Sequence, residues 1–288
     1  MVVNPHSQQA IRQHQRDDWF GQVPRTGPVT ACTSARERVV AFWDDHVSAW
    51  LAGEDPMPDP LPRWFASYSG HGRGHVTRDG FVEPYQGDLL GHAVTPRVVV
   101  LGLNPGVFVP ELQGRSGRFA DELRDDGSYY RWVNTYPYDR DPWVALRGPN
   151  RYYRARLAFT RNWLGDPSAS YGDLLMFELF PWHSTSITGV MRCPTDIIEE
   201  FVWEPLAELP IDHLFAFGRP WEAVANALCL PLVDSLGRGG RRYGSPVVSR
   251  SVRVFELLSG QRLVIEWHEG SAGPPSAAEV DLLRLALS

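Results

Sequence analysis

The stretch RVVVLGLNPG at residues 97–106 decides the fold. Its first seven residues form a continuous apolar run that ends in glycine and leucine, which predicts a strand buried on both faces of a parallel sheet. Two further runs have the same character, DLLMFELF at 173–180 and HLFAFG at 213–218. The third run is followed at once by the helical pattern PWEAVANAL. Strands that alternate with helices in this way indicate parallel pairing.

The flanking segments complete an α/β pattern. SVRVFELL at 251–258 and RLVIEW at 262–267 enclose Ser259-Gly260 and predict a hairpin. Amphipathic helices are predicted at 34–51, with Ser34 as N-cap, at 194–209 and at 275–288. We therefore expect a three-layer α/β/α fold with a central, mainly parallel sheet of about four to five strands. Residues 1–33 are expected to be an N-terminal arm. Residues 34–288 are expected to be a single domain, with a helical part at 34–95 and the core at 96–288.

The composition excludes several chemistries. All 28 basic side chains of the 288 residues are arginine, so neither a lysine-containing phosphate loop nor a lysine Schiff base is possible. The three cysteines are scattered and form no disulfide framework, which fits a reducing compartment. Since no signal core or apolar run of membrane-spanning length is present, we expect a cytoplasmic protein without membrane contact.

Polar residues cluster just after the predicted strands, where α/β folds place their ligands. The first strand runs into Gly102-Leu103-Asn104-Pro105-Gly106, the second contains Glu178 and continues to His183, and the last ends in His268-Glu269-Gly270-Ser271. This pattern matches neither the dinucleotide fingerprint G-x-G-x-x-G nor the hydrolase elbow G-x-S-x-G.

Taken in order, these segments resemble the uracil-DNA glycosylase superfamily over roughly residues 95–285. GLNPG followed by VF is similar to the first motif of the mismatch-specific and single-strand-selective monofunctional branches. HEGS is similar to the histidine-proline-serine loop of the family, with Glu269 in place of the proline. FAFGRPWEAVANAL is similar to its strand–glycine–helix unit.

The resemblance implies a role for each matching residue. Asn104 would position the water that attacks the sugar C1′, and His268 would donate a hydrogen bond to the departing base. The backbone at Gly102, Pro105 and Gly106 would line the base pocket, and Ser271 with the amides near Gly270 would bind a phosphate. Phe119 is the first candidate for stacking on the base, and Phe108 is the alternative.

Glu178 departs from the family pattern, because the resembling branches have an asparagine there that pairs with uracil. An ionised carboxylate only accepts hydrogen bonds, so it would repel uracil O4 and accept from the N4 amine of a cytosine-type base. Some members of the superfamily act in phage defence on hydroxymethylated and glucosylated cytosine. A modified cytosine is therefore the favoured substrate. Alternatively, Glu178 is protonated or paired with Arg219. His183 is expected to touch DNA or substrate, in a role left open.

DNA is the expected partner, without a protein partner, cofactor or metal. Two arginine stripes are expected to hold its backbone, the first with Arg147, Arg151 and Arg154 and the second with Arg238, Arg241 and Arg242. The histidines His71, His75 and His92 lack the further ligands of a metal site. The aromatic residues of segment 127–164 are either a lid over the pocket or core.

The function expected from this resemblance is a monofunctional DNA glycosylase that flips a base out and leaves an abasic site. One alternative is a uracil or mismatch repair glycosylase, and another is a catalytically inactive nucleic-acid-binding module of the same fold. A hydrolase of free nucleosides would leave the arginine stripes unexplained.

Overall fold

A seven-stranded mixed sheet forms the centre of the computed structural model, in the strand order β2-β4-β3-β6-β9-β8-β7. The structure describes residues 33–68, 74–187, 191–237, 250–268 and 273–287. The strands of this sheet are β2 (Tyr85–Gln86), β3 (Val98–Gly102), β4 (Leu174–Glu178), β6 (His213–Phe217), β7 (Leu232–Gly237), β8 (Ser251–Glu256) and β9 (Arg262–Trp267). A separate two-stranded sheet joins β1 (Val76–Thr77) to β5 (His183–Ser184).

The predicted α/β class is confirmed, but the sheet is larger and less parallel than predicted. Strands β4, β3, β6 and β9 are parallel to one another at the centre. The β2-β4, β9-β8 and β8-β7 pairings are antiparallel. The two outermost strands escaped prediction because β2 has only two residues and β7 is largely exposed, so neither has an apolar run.

Alternating residues of the central strands fill two separate cores. Val99, Leu101, Leu175 and Phe177 belong to the larger core on one face of the sheet. Val98, Val100, Leu174 and Met176 belong to the smaller core on the other face. Because side chains alternate along a strand, the continuous apolar runs of β3 and β4 are those of strands covered on both sides.

Helices cover both faces. The larger core receives side chains from α1 (Ala35–Leu51), α2 (Leu61–Ala66), α3 (Pro110–Gln113), α4 (Arg118–Asp126), α5 (Tyr129–Val133), α6 (Trp143–Arg147), α8 (Thr195–Ile198), α9 (Glu204–Ala207) and α10 (Pro220–Ala227). The smaller core receives α7 (Arg151–Leu164) and α11 (Ala277–Leu287). Short 3₁₀ turns lie at Pro137–Asp139 and Tyr171–Asp173.

Two predicted helices show how local chemistry sets their ends. Ser34 caps α1 as predicted, in a capping box with Glu37. The helix predicted at 194–209 is interrupted by a π-helical segment, Glu199–Trp203, between α8 and α9. Pro205 explains the interruption, because its ring lacks an N–H and clashes with the carbonyl of Phe201 in a regular α-helix.

Ser34–Ser288 forms one compact unit. The arm expected at 1–33 lies outside the described residues apart from Thr33. Within the described ranges, no helix combines the length and the apolar character needed to cross a bilayer.

Candidate active site

Asn104 and His268 follow two parallel strands of the sheet, β3 and β9, at the same height along the strand direction. Leu101 of β3 is paired with Ala216 of β6, which is paired with Ile265 of β9. Asn104 and His268 each follow this row by three residues. Their strands are separated only by β6, so two strand spacings place the backbones roughly 10 Å apart. The two residues to which the resemblance gives catalytic roles therefore both lie at the carboxyl ends of the parallel strands.

The Asn104 side chain is held from one side. Its Nδ2 donates to the Ser184 hydroxyl at 2.8 Å and to the Ser184 carbonyl at 3.3 Å. The Ser184 amide donates in turn to the Gly106 carbonyl at 3.0 Å, which ties the GLNPG loop to β5. Asn104 is half-buried, and its Oδ1 has no partner among the described residues. The amide oxygen is therefore available to a water molecule.

Glu178 is buried at the end of β4, with 5 % of its surface exposed. Its Oε1 accepts from the Tyr152 hydroxyl at 2.6 Å, and its Oε2 is buried with no hydrogen-bond partner. Burial raises the pKa of Glu178 from 4.5 to about 7, although Tyr152 and Arg156 favour the charged form. The pairing suggested with Arg219 does not form, since the cation beside Glu178 is Arg156 and Arg219 is exposed.

Gly102 is needed where β3 passes Glu178. A Cβ at this position would collide with Glu178 Oε2 and with the Tyr152 hydroxyl. The first glycine of GLNPG thus allows the carboxyl group to lie directly against the β3 backbone, two residues before Asn104. Pro105 and Gly106 are half-buried, and Gly106 has a φ of +86° with open space around its Cα.

His183 is not a surface contact for DNA, because only 1 % of it is exposed. It lies in β5 with its Nε2 3.3 Å from Glu83 Oε1, without hydrogen-bond geometry. Glu83 is buried too and accepts from Gln113 Nε2 at 2.8 Å and from the Tyr138 hydroxyl. His183 is therefore part of a buried polar cluster behind Ser184.

The first stacking candidate, Phe119, is wrong. It is fully buried, and its ring packs against Trp132, Tyr138 and Trp143. Its helical position points it into the larger core. The alternative, Phe108, is half-buried, and its ring centroid lies 6.1 Å from that of His183. Phe108 follows the GLNPG loop directly and is the aromatic ring nearest to it in sequence.

Arg250 contacts the chain on both sides of His268, at Glu266 and at Gly273-Pro274. His268 is half-buried. Arg250 donates to the carbonyls of Gly273 and Pro274 at 2.9 and 3.0 Å. It also lies 3.9 Å from Glu266, a fully buried carboxyl group whose pKa burial raises to about 8. The predicted phosphate-binding residues Gly270 and Ser271 lie outside the described residues.

The first arginine stripe is mostly solvent-facing. Arg147, Arg151 and Arg154 are exposed, and Arg154 lies 3.6 Å from Asp139. Arg156 of the same segment is buried and takes no part in such a surface. The predicted residues Arg238, Arg241 and Arg242 lie outside the described residues.

The aromatic segment 127–164 is largely core rather than lid. Its buried rings are Tyr129, Trp132, Tyr138, Trp143 and Phe159. The described part of the chain has two clefts whose lining includes neither Asn104 nor Glu178. One adjoins Tyr136 and Tyr171, and the other adjoins Asp44 and Ser128.

Sequence reasoning missed Ser184, Tyr152 and Arg250 as partners of the site. Ser184 and Tyr152 meet their partners only through contacts distant in sequence, so no local motif announces them. Among the described residues, no group of three histidine, cysteine or acidic side chains is placed to hold a metal ion.

Comparison of the chain with protein-family models, with curated proteins and with solved structures finds no match.

Proposed function

We propose that this chain is a monofunctional DNA glycosylase that flips a base out of DNA and hydrolyses its N-glycosidic bond. The observation that supports this most is the level placement of Asn104 and His268 on parallel strands two positions apart. The parallel order of β4, β3, β6 and β9, with helices on both faces, also supports the three-layer architecture implied by the resemblance.

The two residues perform complementary parts of the proposed reaction. Asn104 holds the attacking water through Oδ1, because its Nδ2 is occupied by Ser184. An amide is a weak base, so water attacks a sugar whose bond to the base is already breaking. His268 donates to the departing base and stabilises the negative charge that develops in the transition state. With no lysine available as a nucleophile, the product is an abasic site in an intact strand.

Glu178 selects the base. In its ionised form it accepts from an exocyclic amine, which favours a cytosine-type base, and a modified cytosine is the proposed substrate. The pKa near 7 gives the second candidate its support, because a protonated carboxyl group offers one donor and one acceptor, as an asparagine amide does. Uracil or a mismatched pyrimidine is therefore the alternative substrate.

The deciding experiment is an abasic-site assay on DNA containing uracil, mismatches, plain cytosine, hydroxymethylcytosine or glucosylated hydroxymethylcytosine. Asn104→Ala should abolish the formation of abasic sites while DNA binding is retained. Asn226→Ala, which truncates an exposed asparagine of α10, is the matched control and should behave as wild type.

A catalytically inactive binding module makes the opposite prediction. In that case no DNA in the panel yields abasic sites, yet binding persists and weakens steeply with salt, as phosphate contacts through Arg147 and Arg151 require. Binding that does not respond to salt would count against both readings, because both place DNA on the exposed arginines.

A further inference from the structure

The hydroxyl group of Tyr152 occupies one of the two oxygens of Glu178. Tyr152 is the second residue of α7, where Asn150 caps the helix by accepting from the Tyr152 amide at 3.0 Å. Its hydroxyl donates to Glu178 Oε1 at 2.6 Å. Burial raises the pKa of Tyr152 well above its usual value, so the hydroxyl keeps its proton and acts as the donor.

Arg156 fixes the Tyr152 ring from behind. The guanidinium carbon lies 3.2 Å from the ring centroid, and Nη1 donates to the Tyr152 carbonyl at 3.1 Å. Arg156 is 3 % exposed, so this stacked cation is shielded from solvent and strengthened by the low local dielectric. The ring is thus stacked against Arg156, while its hydroxyl lies beside Gly102 and Glu178.

The second oxygen of Glu178 remains without a partner. Oε2 is buried against Gly102, and no described group donates to it. The charged and titratable groups that influence this carboxyl group are Tyr152 and Arg156 from α7 and Glu83 from the segment before β2. A buried oxygen without a hydrogen bond is costly, so this atom is the one that gains most from a ligand donor.

We propose that Tyr152 is a specificity-determining residue, because by occupying Oε1 it leaves Oε2 as the single atom of Glu178 that meets the flipped base. This inference rests on the proposed glycosylase function. An asparagine at the same place would offer the base a hydrogen-bond donor and an acceptor side by side. In the Glu178–Tyr152 pair, only Oε2 is left to form a hydrogen bond, so a single atom of the base is recognised. The ionised carboxylate requires an amine at that atom, and the protonated carboxyl group requires a carbonyl oxygen.

The inference predicts how two neighbouring tyrosines differ. Tyr152→Phe removes a hydrogen bond to a charged group, which is worth about 1.5–3 kcal/mol and corresponds to an increase of about one to two units in the pKa of Glu178. Tyr153→Phe is the matched control, because Tyr153 lies on the same helix and its hydroxyl makes no hydrogen bond to a described residue. We expect the control to titrate as wild type.

The experiment has two readouts. The pKa of Glu178 is measured by NMR on protein with ¹³C-labelled glutamate carboxyl groups, with Glu178→Gln to identify the signal. The pH profile of kcat/KM is measured on the best amine-containing and carbonyl-containing DNA substrates. In Tyr152→Phe the Glu178 titration and the crossover between the two substrates should both move to higher pH, with unchanged affinity for undamaged DNA.

The outcomes separate the two proposals. If wild type forms no abasic site on any DNA, the glycosylase function is wrong, and the NMR titration still tests whether Tyr152 holds the carboxyl group. If wild type is active and Tyr152→Phe keeps its substrate preference and pH profile, the specificity role is overturned. A Glu178 pKa that is equal in wild type and Tyr152→Phe overturns it as well.

Discussion

Replacement of Glu178 by glutamine should make the stability of the fold less sensitive to a rise in pH from about 4.5 through 7. The carboxyl group is buried, with 5 % of its surface exposed, and its pKa is raised from 4.5 to about 7. The folded state therefore holds the proton more tightly than the unfolded state does. The contribution of the protonated carboxyl group to the stability is complete below pH 4.5 and is lost as the pH rises through 7. Glutamine is neutral throughout and does not contribute this loss.

The magnitude follows from the difference between the two pKa values. Each pKa unit corresponds to about 1.4 kcal/mol, so the full effect is about 3 kcal/mol, of which roughly 2.5 kcal/mol falls between pH 5 and pH 9. Tyr152 keeps an acceptor in the variant, since the glutamine carbonyl oxygen replaces Oε1. The main change between the two proteins is therefore the missing charge.

The assay is urea-induced unfolding followed by tryptophan fluorescence at pH 5, 7 and 9. The free energy of unfolding of Glu178→Gln relative to wild type should increase mainly between pH 5 and pH 7 and level off toward pH 9, because the two pKa values are 4.5 and about 7. Tyr153→Phe, which leaves the carboxyl group intact, should show the wild-type dependence on pH. A difference between Glu178→Gln and wild type that stays constant from pH 5 to pH 9 would refute the assignment of a raised pKa to Glu178.

Three further predictions concern the neighbouring residues. Ser184→Ala removes the hydroxyl that accepts from Asn104 Nδ2 and should lower kcat at least tenfold with little change in DNA affinity. Single-turnover kinetics and DNA-binding measurements check this, and an equal loss of kcat and of DNA affinity would contradict a positioning role. Phe119→Ala should lower the free energy of unfolding by urea by about 3–5 kcal/mol because the ring is in the core, whereas Phe108→Ala should mainly reduce base excision. If Phe108→Ala lost the stability and Phe119→Ala lost the excision, the assignment of the two rings would be wrong. Glu266→Gln should stabilise the protein at pH 9 and have little effect at pH 5, because burial raises the pKa of Glu266 from 4.5 to about 8 and its ionisation therefore costs stability at high pH. A difference in the free energy of unfolding between variant and wild type that is the same at pH 5 and pH 9 would contradict the raised pKa.

The central elements of the fold could be predicted because their signals are local. The apolar runs that became β3, β4 and β6 are buried on both faces, and the hairpin β8-β9 encloses the predicted turn. The edge strands lacked such a signal. Tyr85–Gln86 becomes a strand only because β4 offers it a partner, and Leu232–Gly237 pairs along β8 although only one of its residues is buried. Tertiary pairing, rather than intrinsic preference, decided both.

The site shows the same division. Asn104, Glu178 and His268 could be named from the sequence because each closes an apolar run with a polar group. Their partners could not, since hydrogen bonds between residues 80 apart, as in Asn104–Ser184, leave no periodic trace. Phe119 failed for a related reason. Its distance from the GLNPG loop in the chain resembled that of a stacking residue, but its position on α4 turns the ring into the aromatic core.

The absence of lysine and the geometry at His268 bear on the same step. In the proposed function, the lack of an amine nucleophile leaves water held by Asn104 as the attacking group, and an amide contributes little basicity. Rate enhancement must then come from stabilising the departing base, which is the role proposed for His268. That role requires a fixed imidazole position. Arg250 contacts the chain on both sides of His268, because it binds the carbonyls of Gly273 and Pro274 and lies beside the buried Glu266. In the proposed reaction, these contacts are the ones that would hold His268 in place.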